Sequence, residues 1–418
     1  MPTYQNIARP EEWITDTDRQ FADSIRKWVD NDVWPNRRKI DDDWAHHKIV
    51  KPIMKKLMVD IGYQRGVWPE EVGGLGASSA VGFVVCSEEI ARGDSGMCTA
   101  ANCCGWPFLH ICLPSHRNER LIQKFGPMFC KTDKMVMGCP AITDARSGSD
   151  VENIDATHGK YIQVRADDGG DHWTINGHKL WCTNSGGLAD IFGVFCTTKP
   201  GVEDDESFAL IYVPADTPGV TQGKPYKKAG MSADWNSDIW FENVKVPKEN
   251  RAAGPGLDAQ YAREMISWGN VITGGYALGS MNRVYEILMD WVNNRVVAGK
   301  ILKEHSIIAG HLGEIMTLIE MVKSDTYCKA RMLDRADIYG PGWTKEMLAK
   351  TRSTKLFSTD ALTKICNTAV DLMGAAGYAH EFDMEKIWRD SKIMSLWMGG
   401  RSLCRLDTAR YYFDCKEI

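Results

Sequence analysis

The sequence predicts an α+β chain in three parts: a helical N-terminal region over residues 1–135, a central β-barrel or sandwich over 136–250, and a C-terminal four-helix bundle over 251–418. Three observations predict it. Early in the chain, apolar residues recur at helical spacing between caps and breakers. From about Pro140 to Asn250 the texture turns to short β-branched and aromatic runs with polar breaks, the mark of strands. From Leu257 onward come four long amphipathic segments with short links, the pattern of an antiparallel bundle.

Each element has its own reason. Phe21, Ile25, Trp28 and Val29 make one helix face over 16–34, with Asp and Thr ahead as caps and Pro35 behind. A second helix is expected over roughly Ala45 to Gly62, then a turn-rich loop from Trp68 to Gly76. Two or three helices follow from Ala77 to Cys130. Strands are expected at Tyr161–Val164, His172–Ile175, Asp190–Thr197, Phe208–Val213 and Ile239–Pro247. Asn176-Gly177 reads as a type I′ hairpin turn, because both central residues of that turn need φ > 0. The strand after it would show Trp181 and Thr183 on one face, since side chains two apart point the same way. The closing helices run roughly 260–296, 304–336, 343–375 and 393–412.

Composition narrows the class. A net charge of −5 gives no reason to expect a nucleic-acid or anionic-membrane partner. No run approaches the apolar length of a membrane span and no signal-peptide pattern opens the chain, so a cytoplasmic protein is expected. The 13 cysteines are odd in number and lack CxxC spacing, which argues against both a disulfide framework and a metal site. Cys103-Cys104 reads as small apolar helix filling. Their abundance fits a reducing, even anaerobic, cytoplasm.

The chemistry concentrates between Met137 and Cys196. Thr143-Asp144-Ala145-Arg146-Ser147-Gly148-Ser149-Asp150 is a small-residue loop that brings backbone N–H groups and hydroxyls close to an anionic ligand. Asn176-Gly177-His178-Lys179-Leu180-Trp181-Cys182-Thr183-Asn184 adds an indole and a hydroxyl suited to a flat aromatic ligand. Together they resemble the TEPxAGSD and NGxKxWITN wording of the acyl-CoA dehydrogenase family. Trp68 to Gly76 resembles that family's PEEYGGxG loop, and Glu88 to Gly96 its E-L-A-R-x-D-x-S turn. Glu385 to Ile393 matches E-K-x-x-R-D-A-K-I, so the resemblance spans nearly the whole chain.

The resemblance implies FAD as cofactor. Thr143 and Thr183 would bond the flavin ring, Trp181 would pack on it, and Ser149 would lie near the pyrophosphate and the CoA chain. Arg295, in the place of E-R-x-x-F-G-K, would pair with the pyrophosphate through its fork. Ala375 stands for a glycine of L-G-G-x-G-Y, which in the family approaches a partner subunit's dinucleotide. Ala298 and Ser306 depart from the family's Phe and Gln and weaken those contacts. The helix with Cys98, Thr99, Asn102 and Trp106 would line the acyl pocket, with Trp397 and Met398 opposite. An acyl-CoA substrate, an electron-transferring flavoprotein as acceptor, and a homotetramer or homodimer are implied likewise.

One departure outweighs the rest. Where the family has I-Y-E-G-T-S-Q, this chain has Leu396-Trp397-Met398-Gly399-Gly400-Arg401-Ser402, and methionine cannot take a proton. The alternative base position on an earlier helix falls at Gly269-Asn270. Three explanations follow. In the favoured one a relocated carboxylate serves, Asp94 first, then Asp144 or Glu264. This is as in the subgroup acting on alicyclic-ring CoA esters in anaerobic aromatic degradation, which lacks the usual glutamate. The second is a family-related flavin monooxygenase, for which His380 or His311 would matter. The third is a non-catalytic subunit of a hetero-oligomer. Trp106, Trp268 and Trp397 around the vacant positions favour a flat, cyclic or aryl-bearing acyl group.

Overall fold

The computed structural model describes residues 3–7, 9–153, 161–202 and 204–416; the spacer after Val151 falls partly outside them, at 154–160. The chain opens with helices α1 (Asp16–Trp28), α2 (Arg37–Asp42), α3 (Val50–Lys55), α4 (Ala80–Gly93), α5 (Ser95–Cys112) and α6 (Glu119–Phe129), and α7 is a single turn at Ser149–Glu152. The closing part holds α8 (Leu257–Asn294), α9 (Ser306–Asp334), α10 (Ala336–Tyr339), α11 (Lys345–Met373), α12 (Ala375–Tyr378), α13 (Met384–Met394) and α14 (Gly400–Phe413). Among the described residues no helix is long and apolar enough to cross a membrane.

α1 starts on a capping box: Thr15 Oγ1 accepts the Asp18 N–H, and the Asp18 carboxylate accepts the Thr15 N–H, each at 3.1 Å. It buries Ala22, Ile25 and Trp28, the face the spacing predicts. The helix expected from Ala45 begins only at Val50. The Asp43 carboxylate takes the N–H groups of Ile49 and Val50 and so caps a later start. α4 and α8 approach closely because Gly275 and Gly279 lie four apart on one helix face. A Cβ at Gly279 would meet the Glu88 carbonyl oxygen at 2.3 Å.

Between the helical parts lies one curled sheet, not a two-sheet sandwich. Its strands are β1 (Gly138–Ala141), β2 (Arg165–Asp168), β3 (His172–Cys182), β4 (Ile191–Thr197), β5 (Phe208–Pro214), β6 (Val220–Gln222) and β7 (Ser237–Pro247). Their order is β1-β4-β2-β3-β7-β6, with β5 on the other side of β4. β4 pairs parallel with β1 and β2, and β5 antiparallel with β4. The alternation of β4 and β5 feeds two cores at once. Phe192, Val194, Ala209, Ile211 and Val213 fill the inside of the curl. Ile191, Phe195, Phe208, Leu210 and Tyr212 join the core shared with the helices. Both faces are covered, so these strands read as nearly continuous apolar runs.

Two local expectations fail. The segment 161–164 is not a strand; pairing starts at Arg165. Asn176-Gly177 is not a hairpin turn either. β3 runs straight through it with a bulge between Ile175 and Gly177, Asn176 has no positive φ, and the turn is made upstream at Gly169-Gly170. Gly177 is needed for closeness: a Cβ there would come 2.8 Å from the Val164 Cα.

Candidate active site

The two halves of the motif between Met137 and Cys196 are joined by a buried ion pair. Lys179 Nζ lies 2.6 Å from the Asp144 carboxylate, both side chains fully buried, and also donates to the Ile142 carbonyl at 2.7 Å. The Leu180 N–H donates to the Thr143 carbonyl at 2.9 Å. Asn184 ties the end of this stretch to α5 and β1, its amide donating to the carbonyls of Ala100 and Gly138. The result is one wall carrying Thr143, Trp181 and Thr183. Strict alternation does not make this wall, since Cys182 lines it too. A second bulge lies between Lys179 and Cys182, with Trp181 at φ 58°. The indole is 54% exposed and rests against Tyr226, ring centres 4.2 Å apart.

That wall borders a cleft of about 860 Å³, open at Trp181 and closed inside by Phe83, Trp106, Tyr276 and Trp397. Trp106 Nε1 donates to the Met265 carbonyl at 2.8 Å, and Trp397 Nε1 to Thr273 Oγ1 at 3.2 Å. Both indoles are thereby fixed in the lining of the cleft. Tyr276 meets Trp397 edge-on at 5.9 Å. Burial pushes the Cys103 thiol and the Tyr276 phenol up, so neither ionises near neutrality.

The cleft brings together Thr99, Asn102, Trp106, Thr143, Trp181, Thr183, Trp397 and Met398 of the residues singled out from the sequence. Cys98 is buried behind it against the Ser87 carbonyl. Ser149 is exposed at the start of α7. Arg295, at the end of α8, and Ala375, at the start of α12, are exposed and do not line the cleft.

Asp94 must be moved out of the cleft. It caps α5, its Oδ1 accepting the Met97 N–H at 2.9 Å, while Oδ2 accepts from Lys386 Nζ at 2.8 Å. Lys386 also bonds Asp390 at 2.6 Å, and Asp390 takes the Met231 N–H. Burial alone would lower Lys386, but Asp390, Asp94 and Asp41 outweigh it and hold the ammonium well above its ordinary range. The motif Glu385 to Ile393 is thus a tie between α13 and the start of α5. Asp144 is committed to Lys179, and Glu264 to the Trp268 indole at 3.0 Å; neither lines the cleft.

The sequence reading missed Glu152, the one carboxylate among the described residues lining the cleft. It missed Arg352 as well. This fully buried guanidinium donates to the carbonyl oxygens of Met398, at 2.6 Å, and Glu152, at 3.5 Å, and pairs with Asp407 at 2.9 Å. The only sequence signal was a glutamate just beyond the Gly-Ser-Asp loop.

Family models for the N-terminal, middle and C-terminal domains of acyl-CoA dehydrogenase match residues 15–123, 139–244 and 259–412. The chain belongs to the acyl-CoA dehydrogenase family, oxidoreductases that bind FAD and act on acyl-CoA thioesters. It is 27% identical over 398 residues to cyclohexane-1-carbonyl-CoA dehydrogenase of Syntrophus aciditrophicus (strain SB), covering 94% of this chain and 95% of that one. The fold is like that of butyryl-CoA dehydrogenase from Megasphaera elsdenii, with TM-score 0.83 and 22% identity over 95% of this chain and 98% of that one. An acyl-CoA dehydrogenase complexed with FAD from Bacillus anthracis gives TM-score 0.84 at 22% identity, covering 99% of this chain and 69% of that one.

Proposed function

We propose that this chain is an FAD-dependent dehydrogenase for a bulky, ring-bearing acyl-CoA thioester. The observation that carries the proposal is a mainly apolar cleft, ended by Trp106, Tyr276 and Trp397, that opens onto the Thr143–Trp181–Thr183 wall. A wide aromatic end suits a flat ring better than a straight chain. The similarity to a dehydrogenase of cyclohexane-1-carbonyl-CoA supports the same substrate class.

The wall fits a flavin. A tryptophan is held at φ 58° with half its ring exposed, a strained and apolar display that makes sense when a planar group covers it. Thr143 and Thr183 would bond the ring edge, and the Asn236 amide, donating to the Trp181 carbonyl at 2.9 Å, keeps Trp181 and Thr183 in register. Ser149, Arg295 and Ala375 are assigned to the dinucleotide and CoA, Ala375 toward a second copy of the chain in a homodimer or homotetramer. Bound FAD supplies the hydride acceptor; this chain's residues orient the thioester, exclude water and take the proton. An electron-transferring flavoprotein is the proposed acceptor, and the cytoplasm of an anaerobe degrading aromatic compounds the proposed setting.

The test is anaerobic mixing of the FAD-loaded protein with straight-chain, cyclohexane, cyclohexene, aryl and dicarboxylic CoA esters while flavin absorbance is followed. Bleaching by ring-bearing esters is the expected result. No bleaching with any ester would overturn the reading and leave a monooxygenase or a non-catalytic subunit.

A further inference from the structure

We propose that Glu152 is the base of this enzyme, delivered to the vacated glutamate position from a different segment of the chain. The inference rests on the dehydrogenase reading above.

The geometry is a convergence. Position 398 carries methionine where the family has its glutamate, and position 269 carries glycine where the alternative base stands. In the fold these two positions touch: a Cβ at Gly269 would lie 2.7 Å from the Met398 sulfur. Glu152 lines the same cleft, and the backbone N–H of Gly399, the residue after Met398, is near enough to favour its charged form. Three positions from three segments therefore share one corner, and only Glu152 among them can take a proton.

The corner is built to hold that carboxylate. Met398 (φ 47°), Gly399 (φ 76°) and Gly400 (φ 60°) form a left-handed run. Arg352 fixes both sides by donating to the Met398 and Glu152 carbonyls, which makes it a positioning residue. Around Glu152, α11 contributes Arg352 and Lys355, and α14 contributes Asp407 and Arg410. Arg352 is already paired with Asp407, and Arg410 bonds both Asp407 and Asn153. Burial raises the Glu152 carboxyl above its ordinary range, with Arg352 and Lys355 opposing. A carboxylate so tuned is a stronger base near neutrality than a solvated one.

The reaction balances with what the family supplies. A C–H proton of the acyl group goes to Glu152, and the C–H pair becomes the new C=C. The hydride leaving the other carbon of that bond, or of its conjugated extension, is accepted by FAD.

The test uses the FAD-loaded protein and cyclohexane-1-carbonyl-CoA in deuterated buffer. It reads flavin bleaching and, by mass spectrometry of the recovered ester, deuterium entry next to the carbonyl. Glu152→Gln should lose both by about 10²–10⁴-fold, with FAD content and ester binding kept. Glu152→Asp should keep part of the rate. Adding Met398→Glu to Glu152→Gln should restore exchange from the family's own position. Wild-type exchange should rise with pH through a value above the ordinary carboxylate range, and Glu152→Gln should lose that limb. If Glu152→Gln exchanges within threefold of wild type while Asp94→Asn does not, the proposal is overturned in favour of Asp94. If the wild type neither exchanges nor bleaches with any ester of the panel, the dehydrogenase reading falls and takes this one with it.

Discussion

Two buried charged regions of this molecule are built by opposite rules. Around Lys386, every charge has a partner: Asp94, Asp390, Arg389, Asp41 and Glu385 close a network between α13, α5 and the N-terminal helices. Around Glu152, Arg352 is drawn to Asp407 and to two carbonyls, Lys355 stands near without an ion pair among the described residues, and the carboxylate borders a cleft. A saturated network holds segments together. An unsaturated carboxylate beside a cavity keeps its lone pairs for a ligand. Asp94, singled out from the sequence as the base, belongs to the first kind, and Glu152, which the sequence did not single out, to the second.

Breaking the first region should cost the most. Lys386→Ala leaves Asp94 and Asp390 buried without their cation, which costs about 3–5 kcal/mol; the check is denaturant unfolding or loss of soluble protein. Lys179→Met should act similarly at the other buried pair by stranding Asp144. FAD content should fall with it, because that pair joins the two segments that carry Thr143, Trp181 and Thr183.

The pH dependence sharpens the contrast. Burial would raise Glu88, but Arg9 and Lys323 hold it below its ordinary range; burial would raise Asp41 too, but Lys386 and Arg389 lower it. Their stabilisation is complete above the unfolded carboxylate range of about 4 and is lost as pH falls through the depressed folded values. Lys386 is raised, so its contribution is complete below about pH 10 and is lost as pH rises through the folded value. Glu152 runs the other way from Glu88. Its folded carboxyl is raised, so its ionisation costs folding free energy at neutral pH. Scanning calorimetry from roughly pH 2 to 10 should show an acid limb below about pH 4 carried by Glu88 and Asp41.

Smaller effects test the cleft. Trp181→Ala removes a half-exposed ring whose packing on a flavin is worth about 1 kcal/mol. FAD should bind about fivefold more weakly, measured by fluorescence titration, while the unfolding temperature barely moves. Glu152→Gln should raise the unfolding temperature slightly while abolishing proton exchange, the exchange of activity for stability expected where a buried charge serves function. A fall instead would mean that the carboxylate is a structural partner of Arg352 and Lys355.

Much of this was legible in one dimension. Long helices announced themselves by period, as with the segment expected at 304–336 and found at Ser306–Asp334. The doubly buried strands β4 and β5 showed as apolar runs, and the loop at Thr143 and the strand to Trp181 showed by residue type. The errors came where a local signal met a tertiary contact. Asn-Gly is a turn in isolation, but next to Val164 the glycine serves close approach and the strand continues. Asp before a helix does read as a cap, and the cap proved to be the whole of its local role, with Lys386 added from 292 residues away.

The sequence by itself determined the three-part fold, the family resemblance and the methionine at position 398, because periodicity, turn chemistry and residue identity are local properties. Only the tertiary structure decided which carboxylate faces the cleft. Glu152, Gly269, Arg352 and Met398 come from segments with no common period, and what unites them is a corner that exists only once α7, α8, α11 and the Met398 turn have packed together.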